Sequence, residues 1–152
     1  MATIHFFGKT GCINNKKQKD LLRAAGHQVL DYDLCTFSFS EDTLRSFFED
    51  RPVADWFNST APAITSGEVQ PALLDEKKAL EAMLGDRLLI RRPLIQAANE
   101  RFCGFDIDRI RELVGLKAVW GREQEVDRLL GDDLVTCPKI GLDNCSAEVT
   151  LQ

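Results

Sequence analysis

The chain has 152 residues, 44% of them hydrophobic and 28% charged, the proportions of an ordinary globular domain with a real core. Its formal charge of −5 argues against nucleic acid or an anionic membrane as the main partner. No apolar run approaches the ~20 residues that cross a bilayer, and the opening MATIH does not read as a signal peptide, so a cytoplasmic location is expected.

Thr3 to Gly8 reads as a short strand of aromatic and β-branched residues ended by Gly8 and Gly11. Helix-favouring residues run from Cys12 or Ile13 to about Ala25, with Ile13, Leu21, Leu22 and Ala25 toward a core and Lys16, Lys19 and Arg23 outward. Gly26 stops that helix, and Val29 to Leu34 is a second strand, parallel to the first if the crossover is right-handed. Ser38-Phe39-Ser40-Glu41 fits a capping box ahead of a helix carrying Leu44, Phe47 and Phe48, which Arg51-Pro52 ends.

A short helical turn over Val53 to Asn58, a loop over 59–71 and a helix from Ala72 to Leu84 complete a helical insertion. The apolar runs Leu88-Leu89-Ile90 and Leu94-Ile95 then flank Arg91-Arg92-Pro93. A turn at Asn99-Glu100 leads into a strand at Arg101-Phe102-Cys103. FDIDRIRELVG gives a helix, Val126, Leu129 and Leu130 mark another, and the last twenty residues read as an extended tail. This element order is that of a thioredoxin-like α/β domain with a helical insert.

Five cysteines (12, 35, 103, 137 and 145) and two histidines show no C-x-x-C or zinc-ligand spacing, so neither a disulfide framework nor a metal site is called for. Cys12 stands between a glycine turn and a helix start, where free backbone N–H groups and the helix dipole favour a thiolate and also bind oxyanions. The bland alternative is a half-buried structural cysteine. A phosphatase-type loop needs arginine six residues later, where Gln18 stands; a nucleotide P-loop has no match over Gly8 to Asn15. With Asn15 in place of a second cysteine, a reacted Cys12 must be resolved by glutathione, glutaredoxin or a remote cysteine, Cys137 and Cys145 being the exposed candidates. Cys35 and Cys103 read as core, His5 as a satisfied structural histidine, His27 as a loop residue, Arg91 as solvent-facing, and Trp56 with Phe47 and Phe48 as packing, with a Trp56-Phe57 docking edge as the alternative.

Proline between two apolar runs marks a break, an edge or a cis bond. With the strand ending in Gly11-Cys12 and the helical insert, LLIRRPLI resembles the ArsC/Spx family of thioredoxin-fold proteins, which includes glutaredoxin-coupled arsenate reductases. CINNKKQKDLL, PVADWFN and LLIRRPLI together are similar to the subgroup of nitrogenase-associated proteins. The similarity covers about residues 3–115. It implies an ArsC-like mixed-sheet domain over 1–115, an insert at about 40–85, and a C-terminal helix and tail over 116–152.

The resemblance implies Cys12 as nucleophile, Arg92 as oxyanion-binding arginine, Pro93 as a cis-proline and Gly11 as a structural residue of the turn. Asn15 and Lys16 complete the candidate anion-binding set, their alternatives being turn support and a solvated helix face. Arg92 has a surface ion pair as its alternative. Arsenate reductases of this type use two further arginines, near Trp56-Phe57-Asn58 and Cys103-Gly104-Phe105, where this sequence has none in register; the nearest to the latter is Arg101. One guanidinium in place of three points away from efficient arsenate reduction and toward generic thiol redox or anion binding. No cofactor is implied beyond glutathione or glutaredoxin as reductant. The implied partners are an oxyanion or thiol substrate, glutaredoxin or a nitrogen-fixation protein. The competing expectation is a non-catalytic Spx-like regulatory or nitrogenase-associated binding module.

Overall fold

The computed structural model describes residues 1–132 and 134; the expectations for the tail and for Cys137 and Cys145 lie outside them. Four strands form one mixed sheet: β1 (Thr3–Gly8), β2 (Gln28–Asp33), β3 (Leu94–Ala97) and β4 (Glu100–Cys103), in the order β2-β1-β3-β4. β1 runs parallel to β2, with Gly8 opposite Asp33, and antiparallel to β3, with Phe7 opposite Leu94. The crossover helix α1 (Ile13–Ala24) makes the β-α-β unit that the glycine stops announced. This is the thioredoxin-like, ArsC-like α/β fold.

Strand alternation divides the core in two. Ile4, Phe6, Ile95 and Phe102 face α1, α5 (Ile107–Leu113) and α6 (Glu123–Leu130), meeting Leu21, Leu22, Ile110, Leu116 and Val126. Phe7, Leu94 and Cys103 face the insert, meeting Phe47, Phe48, Trp56 and Met83. The insert contains α2 (Glu41–Arg45), α3 (Pro62–Thr65) and α4 (Glu76–Gly85), with 3-10 turns at Val53–Trp56 and Pro71–Leu73. Trp56 and Phe57 are buried, so the docking edge considered for them is absent.

Several boundaries differ from expectation, each for a local reason. Ser40, not Ser38, caps α2, its Oγ accepting from the Thr43 N–H at 3.1 Å. The helix expected from Ala72 starts at Glu76, because the Asp75 carboxylate caps it through the Lys78 N–H at 2.8 Å. Leu88-Leu89-Ile90 is not a strand: Asp86 accepts from the Leu88 N–H at 3.1 Å and caps a 3-10 turn over Arg87–Leu89. The hairpin turns at Ala98-Asn99, one residue earlier than expected, with both φ angles positive (51° and 66°) as a type I′ turn requires. Ile13 points outward rather than into the core, and the buried N-terminal face of α1 is instead Asn14, Asn15 and Gln18.

Candidate active site at the Cys12 turn

The turn that presents Cys12 is built by one glycine. The Cys12 N–H donates to the Lys9 carbonyl at 3.1 Å across Lys9-Thr10-Gly11-Cys12, and Gly11 occupies the left-handed region at φ 87°. Cys12 is the N-cap of α1 and is buried, at 6% exposure. A twelve-residue helix thus begins immediately after the sulfur-bearing residue, directing its N-terminal N–H groups and dipole there.

A chain of amides fixes this turn. The Lys9 N–H donates to Asn15 Oδ1 at 2.9 Å, Asn15 Nδ2 donates to Gln18 Oε1 at 3.0 Å, and Gln18 Nε2 donates to the Leu134 carbonyl at 2.6 Å. Asn15 is buried and both its polar atoms are engaged, so it supports the turn instead of offering the anion contact expected of it. Lys16 does not contribute to the cradle either: its Nζ reaches Asp20 at 2.8 Å on the exposed face of α1.

Pro93 follows a cis bond from Arg92, and its carbonyl accepts from the Gly104 N–H at 2.8 Å. The Phe7–Leu94 register brings this bond alongside the Gly8 end of β1, where the Cys12 turn begins. Arg92 is half-buried and forms no ion pair among the described residues, so the surface pair considered for it is absent.

Beside Arg92 opens a pocket of about 250 Å³ that sequence reasoning missed. Arg51 and Arg91 line it together with Arg92, where one guanidinium was expected. Gln18, Cys103, Gly104, Phe105 and Asp106 complete its lining. Arg91 is half-buried, with Nη1 donating to the Asp55 carbonyl on the exposed side at 3.3 Å and Nε 3.4 Å from the place a Cβ on Gly104 would take, beside the segment expected to carry a third family arginine. The signal was present as Arg91 next to Arg92 and Arg51 before Pro52, but register alone could not bring them together.

Burial disfavours the thiolate at the other two described cysteines. Burial, with the Glu49 carboxylate, pushes the Cys103 thiol up against the opposing Arg51 and Arg91 charges. Cys35 is half-buried rather than core; burial and then Asp33 raise it, against Lys9 and Arg92. Trp56, Phe47 and Phe48 are packing residues. His5 Nδ1 lies 3.2 Å from the Tyr32 hydroxyl. His27 is buried, its Nδ1 accepting from the Ala2 N–H at 3.0 Å and its Nε2 2.7 Å from the Gly115 carbonyl.

A protein of Rhodospirillum rubrum described as "Uncharacterized 15.7 kDa protein in draG 3'region" is 42% identical over 148 residues, 97% of this chain and 96% of that one. The chain belongs to the family of that protein. No protein-family model matches. Among solved structures, an arsenate reductase from Vibrio cholerae superposes with a TM-score of 0.60 at 19% identity, covering 74% of this chain and 98% of its own. The YFFB protein gives 0.61 at 22% identity over 74% and 98%. An arsenate reductase (ArsC) related protein from Brucella melitensis gives 0.55 at 19% over 72% and 92%. These likenesses establish the fold. No helix among the described residues is long and apolar enough to cross a membrane, and no His, Cys, Asp and Glu cluster there could hold a metal.

Proposed function

We propose that this protein is a thiol-dependent oxidoreductase in which Cys12 is the nucleophile and the Arg92–Pro93 segment shapes its anion-binding site. The observation that supports the reading is that Cys12, at a helix N-terminus, and the cis Arg92–Pro93 bond lie toward the same end of the sheet. Positive potential from the helix end lowers the cost of a thiolate, and the guanidinium offers a bidentate fork to an anionic group.

In the balanced form of the reaction, the Cys12 thiolate attacks one sulfur of a substrate disulfide, forming a mixed disulfide and expelling the other sulfur as thiolate. A glutathione or glutaredoxin thiolate then attacks the substrate-derived sulfur. That step releases Cys12 as thiolate and leaves a new disulfide between substrate and reductant. Resemblance to arsenate reductases supports an oxyanion as the alternative electrophile. The sequence resemblance to nitrogenase-associated proteins, and the origin of the relative in a draG 3′ region, support a role linked to nitrogen fixation.

The burial of Cys12 favours a second reading, a regulatory or binding module that keeps the fold without turnover. The deciding test is the alkylation rate of Cys12 against pH, with glutathione adducts followed by mass spectrometry. An inflection well below the ~8.5 of an ordinary thiol and a Cys12–glutathione adduct support the enzyme. An unreactive Cys12 leaves the module.

A further inference from the structure

The pocket beside Arg92 has the wrong charge balance for a cavity that stays empty. Three guanidiniums and one carboxylate, Asp106, line it, a net positive site on a chain whose formal charge is −5. Asp106 is already engaged, accepting from the Arg109 N–H at 3.2 Å as the cap of α5. Among the described residues, Arg51 and Arg92 make no side-chain hydrogen bond or ion pair, and Arg91 donates only to the Asp55 carbonyl at 3.3 Å. Convergent cations with unused donors repel one another, and an anion removes that cost while filling the forks.

The backbone around Arg51 is held as if to fix its direction. Glu49, two residues earlier, sits at φ 50°, and its carboxylate takes both ends of the Arg109 guanidinium at 2.7 Å. Arg45 Nη1 donates to the Glu49 carbonyl at 2.8 Å. The Arg51 carbonyl accepts from Trp56 Nε1 at 2.9 Å, and its N–H donates to Phe48 at 3.1 Å. The Arg91 guanidinium lies against Gly104, its Nε 3.4 Å from the place a Cβ would take, so a side chain at 104 would crowd it.

Size and lining separate the ligand from a bare oxyanion. A volume of about 250 Å³ corresponds to about eight waters at liquid density, well above the five non-hydrogen atoms of a tetrahedral oxyanion. Phe105, in the lining beside the guanidiniums, gives the remaining space a small apolar contact against which carbon can pack. We infer that the Arg51–Arg91–Arg92 pocket binds a small organic dianion, a molecule carrying two negative charges as carboxylate or phosphate on a short carbon body. The inference rests on the reading of this face as the ligand site and names its ligand class; it does not depend on the reactivity of Cys12.

The test is calorimetric titration of full-length Cys12→Ser protein, in which thiol chemistry cannot contribute, with succinate, glycerol 3-phosphate, inorganic phosphate and acetate. One of the two organic dianions is expected to bind at least about tenfold more tightly than inorganic phosphate or acetate, and the preferred one identifies carboxylate or phosphate as the anchor. Arg51→Gln and Arg91→Gln should each weaken that ligand by about tenfold or more, the scale of one lost charge-assisted fork. Arg51→Lys, which keeps the charge and loses the fork, should give an intermediate loss in a protein with an unchanged melt. Arg111→Gln, at an exposed remote pair with Asp108, should bind normally. Equal binding of inorganic phosphate, absence of binding by every probe, or unaltered binding in both Arg51→Gln and Arg91→Gln overturns the inference. Tight binding of an organic dianion alongside an unreactive Cys12 in the alkylation test upholds it and removes only the thiol reading.

Discussion

Replacing Asn15 by alanine tests whether the amide chain holds the Cys12 turn. Asn15 is 2% exposed, and its Oδ1 is the acceptor for the Lys9 N–H on a residue that is itself 4% exposed. Truncation leaves that N–H buried without its partner, at a cost of about 1–3 kcal/mol, and deprives Gln18 Oε1 of its donor, costing about 1 kcal/mol more. Gln18 keeps its bond to the Leu134 carbonyl, so the losses do not spread further along the chain. The expected total is about 3 kcal/mol, which for a domain of this size lowers Tm by about 6–12 °C.

Urea denaturation with a matched Lys16→Ala control measures this directly. Lys16 is its neighbour on the exposed side of α1, paired among the described residues with Asp20, and its loss should cost no more than about 0.5 kcal/mol. Hydrogen exchange adds a local readout: the Lys9 amide should be protected in the parent chain and fast in Asn15→Ala. A destabilisation under about 1 kcal/mol, or a Lys9 amide equally protected in both proteins, would refute the claim that Asn15 holds the turn.

Three further expectations follow from named contacts. Hydrogen bonds from Arg109 hold the Glu49 carboxyl below its usual range, against the opposing effect of burial. That stabilisation is present above the unfolded pKa of about 4.3 and is lost as pH falls through the depressed folded value. Arg109→Ala should therefore cost about 1 kcal/mol at pH 7, after discounting for partial exposure, and less at pH 3; a pH-independent difference in urea midpoints would contradict this. Trp56 is fully buried, stacked on Phe48 at 4.7 Å and hydrogen-bonded to Arg51, so Trp56→Ala should lose about 3–5 kcal/mol and, if the chain still folds, show an altered near-ultraviolet spectrum. Because burial pushes the Cys35 and Cys103 thiols up, iodoacetamide at pH 7 should leave both slower than a free cysteine in mass-spectrometric labelling; fast Cys103 modification in the folded protein would contradict the buried placement.

Much of the fold was legible because strands and stops are local. The run from Thr3 to Gly8 alternates its large side chains between two faces, and Gly26 ends α1 with φ 87°, so the β-α-β unit needed no tertiary knowledge. Leu88-Leu89-Ile90 was illegible for the opposite reason. Its apolar pattern suits a strand, but a single carboxylate at Asp86 turns the backbone first. Periodicity also misread the start of α1, since the buried face there is polar. Asn15 and Gln18 look like surface residues until their partners, the Lys9 N–H and the Leu134 carbonyl, are placed on them.

The site divides along the same line. Cys12 and Pro93 are placed by the backbone, one at a helix start and one at a cis bond, so their sequence positions nearly fix their places in space. A guanidinium works at the end of a long stem, so its charge is specified in space and only loosely in sequence. Gly104 makes the distinction concrete. Its φ of 85° is one that a side-chain-bearing residue adopts only at a cost, so an arginine at that position would be strained where glycine is not. The chain keeps the glycine and brings Arg91 over it from the neighbouring segment, 3.4 Å from the absent Cβ. Counting arginines in register therefore undercounts the guanidiniums that the fold gathers around the Arg51–Arg91–Arg92 pocket.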